Sequence, residues 1–330
     1  HSSSFTAKQC MFSNNRSFYY GGAIYSIGAT KTSHSVTVND CTFTDNGSSL
    51  NGEVVTKEGG AIFSYNGIVT SSDCTFTGNS SITTGGAIYY RADGTDYASP
   101  VTLNHCTFSG NRSSSVGGAI SISSDTSVTA NRCTFSDNGG SYSGGAIYSD
   151  SLTATDCTFS GNFTENAVNG MHNGGAIDSR AVTANNCVFF ANSSYSGGAI
   201  NSTSVTASNC VFSANRYGAI FSTSVAATNC TFSDNSGGAI SSDKSYGSFT
   251  TINCLFSNNN ASFRGGAIYS SAHKQITAIN CTFSGNSSSN GGAIYTGTPF
   301  SSNRPLTVSN CTFWNNLCTD GTGKGSVINS

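Results

Sequence analysis

Charge is what this 330-residue chain has least of. Asp, Glu, Lys and Arg make up 9% of it and nearly cancel, for a formal net charge of −2, whereas ordinary soluble domains carry roughly 25% charged residues. With no basic stripe to neutralise phosphates, the composition argues against nucleic acid as a partner. Long apolar runs are missing too, so no segment is expected to cross a membrane as a helix. Proline occurs only 3 times. No C-x-x-C pair or cluster of histidines stands out, so no metal or other cofactor is expected.

Ser, Thr, Asn and 38 glycines fill the space that charge leaves. A chain of small polar residues is either disordered or finely patterned. Disorder comes with few aromatics and a high net charge, whereas aromatics here are 11%. Patterning is therefore the expectation, and a repeat supplies it.

The string C-x-F-x-x-N occurs twelve times without a mismatch, at Cys10, Cys41, Cys74, Cys106, Cys133, Cys157, Cys187, Cys210, Cys230, Cys254, Cys281 and Cys311. A second string, G-G-A-I, follows ten of them, from Gly21 to Gly291; Tyr217-Gly218-Ala219-Ile220 is an eleventh copy and Gly325-Ser326-Val327-Ile328 a decayed twelfth. The shortest period, Cys210 to Cys230, is 20 residues and the longest, Cys41 to Cys74, is 33. A minimal unit that short does not fit a helical-pair repeat of about 34 residues, but it suits one turn of a β-solenoid. Length varies only after the Asn and after the Ile, which marks both places as surface loops.

Side-chain parity predicts three short strands per coil. Four residues before the cysteine stands a Thr (Thr6, Thr37, Thr70, Thr102), with Ala226 the exception, and its neighbours are mostly apolar, as in Val36 and Val38 or Val101 and Leu103. Thr should face out and the apolar pair in. Cys and Phe, two apart, should both point inward, after a bend that resets the parity. The third strand is expected to carry Gly-Gly-Ala-Ile, with Ile inward and both Ala and the residue after Ile outward. The fold expected is all-β: a single domain over 1–330, a right-handed parallel β-helix of about twelve coils, roughly 58 Å long at ~4.8 Å per coil.

Stacked in register, identical residues form columns. Asn15, Asn46, Asn79 and Asn111 begin a column of twelve asparagines, expected to be a ladder of side-chain amides. Seven of the twelve also sit in N-x-S/T, the acceptor sequence for N-glycosylation. A buried amide accounts for all twelve and a glycan only for seven, so Asn201 and Asn260, outside the column, are the better glycan candidates. Cys10, Cys41, Cys74, Cys106, Cys133, Cys157 and their successors are expected to be buried thiols acting as small apolar residues. In-register parallel strands point neighbouring Cβ atoms the same way, which disfavours unstrained bridging. Cys318 lies outside the column and could be free, paired locally or linked to another chain.

The position after Ile carries Tyr25, Tyr89, Tyr148, Tyr269 and Tyr295 among mixed residues. That column reads either as an exposed stripe for sugar rings or a neighbouring filament, or as cross-strand stacking within the sheet. The residue before each cysteine forms a corner column, Gln9, Asp40, Asp73, His105, Arg132 and Asp156, followed by Asn in the other six coils. Asp40 and Asp73 are the best candidates for paired-carboxylate chemistry, with Arg132 to contact an acidic sugar. Spread over about 19 Å at ~4.8 Å per coil, however, five such groups cannot converge on one bond, and Asp and Asn are ordinary turn residues. No enzyme is therefore expected; a polysaccharide lyase or glycoside hydrolase is the alternative. A Thr face also raises an ice-binding solenoid, although that strand shows only one Thr per coil.

The alternation of G-G-A-I with F-x-x-N resembles the repeats of the chlamydial polymorphic outer membrane proteins, β-helical autotransporter-type adhesins. The resemblance runs over essentially the whole chain and implies display at the cell surface or outside the cell, with an adhesive role. Its partners would be carbohydrate or the surface of a host or neighbouring cell. Because Phe5-Thr6-Ala7 is already in register, the chain is also expected to be a segment of a longer array, or a subunit stacked end to end on flanking repeats or on further copies.

Overall fold

The computed structural model describes residues 4–28, 34–47, 56–92, 101–123, 126–165, 174–243, 246–270, 275–297, 306–319 and 327–329. Within them every strand pairing is parallel, all but that of Asn260–Arg264 with Ser287–Asn290 keep one register throughout, and the described residues contain no helix. Twelve three-residue strands, from Met11–Ser13 to Thr312–Trp314, form one uninterrupted sheet in chain order. The strands that begin at Ile and those that carry Thr join in a second sheet of 20 strands. Short third-side strands such as Ser80–Ser81 and Asn260–Arg264 follow the Asn in several coils. The chain is a parallel β-helix, as its repeat requires.

Left-handed backbone at three fixed places turns each coil. The residue before every cysteine has φ of 51–53°, from Gln9 to Asn310, and the residue before every column Asn has φ of 52–63°. Asp, Asn and Gly occupy most of these positions because their side chains tolerate that conformation. One such residue between Val38 and Cys41 accounts for the parity break: Val36, Val38, Cys41 and Phe43 are all buried while Thr37 and Thr42 face outward. The first Gly of G-G-A-I makes the third bend, with φ between 53° and 66° in nine copies.

That bend corrects one expectation. The strand starts at Ile, not at the glycines, and the Ala before it is held inside the bend rather than turned outward. Ala61, Ala87, Ala119 and their successors are fully buried. Most of these Ala carbonyls accept two N–H groups from the preceding coil, as Ala87 does from Ala61 and Ile62, both at 2.9 Å. The second Gly leaves no space for a side chain: a Cβ on Gly118 would stand 2.1 Å from the Gly145 carbonyl oxygen of the next coil.

Identical residues pile into the expected columns. The Phe rings from Phe12 to Phe313 form one unbroken stack with centroids 4.6–5.0 Å apart and planes within 5° of parallel. Register between strands, rather than an aromatic preference for this arrangement, imposes the parallel stack.

In four successive coils the loop between the Ile strand and the Thr strand disappears. Ile147–Thr155, Ile177–Asn185, Ile200–Ser208 and Ile220–Thr228 are single nine-residue strands. Their inward Ser149, Ser179, Ser202 and Ser222 are buried, and the last three bond carbonyls two residues on (Ala181, Ser204 and Ser224), a buried polar column that periodicity did not flag. These four coils lay bare a face that loops interrupt elsewhere.

Candidate functional site

Most of the repeated side chains are fully engaged in holding the coil. Between the two ends of the column, each Asn has its whole amide satisfied. Asn138 Oδ1 accepts from the backbone N–H and from Nδ2 of Asn111, at 3.0 and 2.9 Å, while its own Nδ2 donates to the Phe108 carbonyl and to Asn162 Oδ1, both at 3.0 Å. Asn15, Asn46, Asn79 and Asn111 are linked in the same way, and the ladder runs unbroken to Asn316. Asn46 through Asn286 are 0% exposed, so the sequons of the inner coils cannot receive a glycan in the folded chain.

The thiols are engaged as well, and they are less apolar than expected. Cys41, Cys74, Cys106, Cys133 and Cys157 are buried and Cys10 half-buried. Each Sγ donates to the carbonyl two residues earlier, as Cys41 does to Asn39 at 3.1 Å. Most also reach a carbonyl of the preceding coil, as Cys157 does to Ala130 at 3.4 Å. Contact with the neighbouring sulfur and burial push the Cys74 and Cys133 thiols up, so these positions hold neutral thiols rather than nucleophiles. Cys318, half-buried and unbridged, donates to the Ser289 carbonyl at 2.8 Å.

The corner column is an exposed ladder of its own. Asp73 does not pair with a second carboxylate; its Oδ1 lies 3.6 Å from His105 Nδ1, and the His105 ring meets Arg132 at 3.3 Å. Arg132 Nε lies 3.8 Å from Asp156 Oδ2, which leads into the Asn column through Asn186. Gln9 and Asp40 continue the line at the other end with the same left-handed backbone. None of these groups, strung one per coil along an outer edge, lines the cavities described below. The structure thus sets Asp73 beside His105 rather than against a second carboxylate.

The tyrosine stripe does not stand as one exposed surface. Tyr89 and Tyr295 are buried, at 7% and 8% exposure, and so is Phe63 at 3%. Tyr25, Phe63 and Tyr89 pack across strands as tilted rings with centroids 5.4 and 5.6 Å apart, with Tyr20 packed over the first two. Tyr269 stacks with Tyr295 at 5.8 Å. The reason is that residues outside the column, such as Tyr20, fold over it. Tyr148 remains exposed, and between it and Tyr269 the column becomes Asp178, Asn201, Phe221 and Ser241.

That middle stretch is the floor of a surface trough, where the interior loops are missing. Three adjoining cavities of about 290, 360 and 720 Å³ share Asp178, Ser179 and Arg180 at one junction and Ser196 and Phe221 at the other. The polar end is built by Tyr148, Asp150, Asp178, Arg180, Asn201 and Thr203. Arg180 Nη2 donates to Asp150 Oδ2 at 2.8 Å, and Asn201 Nδ2 to Asp178 Oδ1 at 2.9 Å. Burial pushes the Asp178 carboxyl up to about 6, against the lowering effect of hydrogen bonds from Asn201 and Ser143. At the aromatic end Tyr195 stacks on Tyr217 at 5.9 Å, and both are more than half exposed. Phe263, 78% exposed, and Arg264 form the wall, with the guanidinium over Tyr269 and Tyr295 at 5.9 and 5.2 Å. Asn201 therefore lies in the trough floor, bound to Asp178, whereas Asn260 stands exposed on a third-side strand. No periodicity marks the wall residues; the only signal in the sequence is that coil length falls to its minimum beneath them.

With the architecture established, similarity to known proteins can be placed on it. The model of the right-handed beta helix region matches residues 59–226 and again 199–330. The chain belongs to the right-handed β-helix family. In the first two coils of this β-helix protein, residues 9–27 and 40–65 match the Chlamydia polymorphic membrane protein repeat. The searches of curated proteins and of solved structures returned no match. Among the described residues no helix is long and apolar enough to cross a membrane.

Proposed function

We propose that this β-helix is a rigid rod displayed at the cell surface or outside the cell, and that it is adhesive: it holds a recognition face at a distance and binds a partner surface through the trough. The observation that carries the reading is the division of labour within each coil. The Asn, Phe, Cys and Ala columns are buried and repeat from coil to coil, so they hold the rod, while side chains that differ between coils, the exposed rings of Tyr195, Tyr217 and Phe263 together with Asp178 and Arg180, line one trough. Exposed aromatics of that kind mark binding surfaces more than structural ones. The match of the first coils to a membrane-protein repeat supports placement at the surface. Flanking repeats or a further copy would continue the same columns end to end.

The reading is of binding rather than catalysis. Its support is that the ionisable corner residues run along a line at one per coil, a geometry that converges on no single bond. Two measurements test it. Protease shaving of intact source cells should release peptides from this chain, and a chain that stays intact until lysis would overturn surface placement. Beads coated with the chain should adhere to cells, and adhesion should fall when Tyr217 and Phe263 are both replaced by Ser. No adhesion, or adhesion indifferent to that change, would overturn the binding role.

A further inference from the structure

The chemistry of the trough narrows what it holds. We propose that it binds a neutral polysaccharide chain lying along the rod axis, with sugar rings stacked on Tyr195, Tyr217 and Phe263 and hydroxyls bonded by the polar end around Asp178 and Asn201. This inference rests on the reading of the trough as the recognition face.

Shape comes first. The floor crosses the coils of Tyr148, Asp178, Asn201, Phe221, Ser241 and Tyr269, five steps of ~4.8 Å or about 24 Å in length. It is open along that axis and holds an extended chain rather than a single small molecule. One outward residue per coil at the Ile+1 position, and a second two residues on in Asp150, Arg180, Thr203 and Thr223, give a repeating row of contacts. A polymer of ring-sized units fits such a row.

Chemistry comes second. The C–H faces of a pyranose ring carry slight positive charge and pack on the negative face of an aromatic ring. Tyr195, Tyr217 and Phe263 present exposed rings for that purpose. Paired sugar hydroxyls need planar groups with two donor or acceptor sites, and carboxylate, amide and guanidinium supply them in Asp178, Asn201 and Arg180.

Peptide is disfavoured by two features. The strands of the floor already pair with the coils above and below, so no free edge accepts an added strand. The trough is also shallow and open, without a closed apolar pocket for an anchoring side chain. Acidic sugars are disfavoured by charge. Arg180 is ion-paired with Asp150 and Arg264 lies over two tyrosine rings, while Asp178 and Asp243 face the trough.

The test is isothermal titration of the intact chain with cello-, xylo-, manno- and chito-oligosaccharides, with oligogalacturonate as the acidic probe. Saturable binding to at least one neutral probe is expected. Tyr217→Ala and Phe263→Ala should each weaken it by about tenfold, the loss of one ring contact. Thr107→Ala on the opposite sheet should leave it unchanged, and a circular dichroism spectrum like that of the unaltered chain would show that Tyr217→Ala still folds. Binding to none of the neutral probes, preference for oligogalacturonate, or a loss equal in Thr107→Ala would overturn the proposal. If bead adhesion still depends on the trough while every neutral sugar fails, the ligand class is wrong and the adhesive reading stands; if both fail, the recognition face itself is wrong.

Discussion

The two long sides of each coil follow opposite rules. On the C-x-F-x-x-N side, twelve strands of identical length stack without an insertion, and every inward group meets its own copy above and below. On the G-G-A-I side, loops come and go, the outward column changes from Tyr to Asp to Phe, and the trough opens where the loops vanish. One side carries nearest-neighbour stability, the sum expected of a solenoid. The other is free to vary because its outward residues owe little to the stacking. The repeated and the variable side chains are thus separated across the thickness of a single coil.

Substitutions on the two sides should differ sharply, and the largest difference lies in the Asn column. Asn138→Ala removes the acceptor of two Asn111 donors and leaves the Phe108 carbonyl and Asn162 Oδ1 each short of a bond, all in buried positions. A loss of about 4 kcal/mol is expected from chemical denaturation, since each stranded buried group costs ~1–3 kcal/mol. Thiol labelling under native conditions localises the damage. In the unaltered chain only the half-buried Cys10, Cys311 and Cys318 should react while ten buried thiols resist, whereas in Asn138→Ala the neighbouring Cys133 and Cys157 should become reactive. Equal stability of the two proteins would break the division between the sides.

Next is Gly118→Ala, where the added Cβ meets the backbone of the following coil at 2.1 Å. Because backbone cannot swing aside, a cost of about 3 kcal/mol is expected, at the upper end for overpacking, and is read from the shift in denaturation midpoint. A cost below about 0.5 kcal/mol, the ordinary range of surface changes, would mean that adjacent coils separate more easily than their register implies.

A smaller effect belongs to the trough. The folded-state pKa of Asp178, about 6, lies above the ordinary 3.8. Between those values the folded chain keeps a proton that the unfolded chain has lost, so stability is greatest on the acid side and falls as pH rises through this window. The carboxyl is largely buried, and a shift of that size corresponds to roughly 2–3 kcal/mol. Comparing midpoints across the window, Asp178→Asn should flatten that part of the profile; an unchanged slope would assign it to other groups.

The smallest expected effect is the most informative about the comparison. Tyr217→Ala, at an exposed position that stacks only on Tyr195, should change stability by less than ~0.5 kcal/mol while it weakens sugar binding. A large loss of stability would show that the variable side holds the rod together after all.

How far the sequence discloses this arrangement follows the same division. The Val, Cys and Phe parity, the left-handed corner before each cysteine and the Asn ladder are all legible, because each depends on short-range pattern repeated twelve times. The Ala of G-G-A-I misleads, since alternation along a strand does not anticipate that Ala87 sits within a bend whose carbonyl takes two N–H groups. Tyr89 mislead for another reason: its ring is covered by residues of neighbouring coils, and strand parity says nothing about what lies on top of an outward side chain. Asp40 and Asp73 look like a carboxylate pair by spacing, but side chains one coil apart choose their own partners, and Asp73 finds His105.

The sequence by itself therefore determined the coil, its register and its interior, because an exact repeat allows only one way for each column to meet itself. Tertiary structure alone decided where the trough lies. The trough depends on which loops stand over which coils and on contacts such as Asn201 with Asp178, Tyr195 with Tyr217 and Arg264 with Tyr295. All three lie between coils, brought together by stacking rather than by adjacency in the chain.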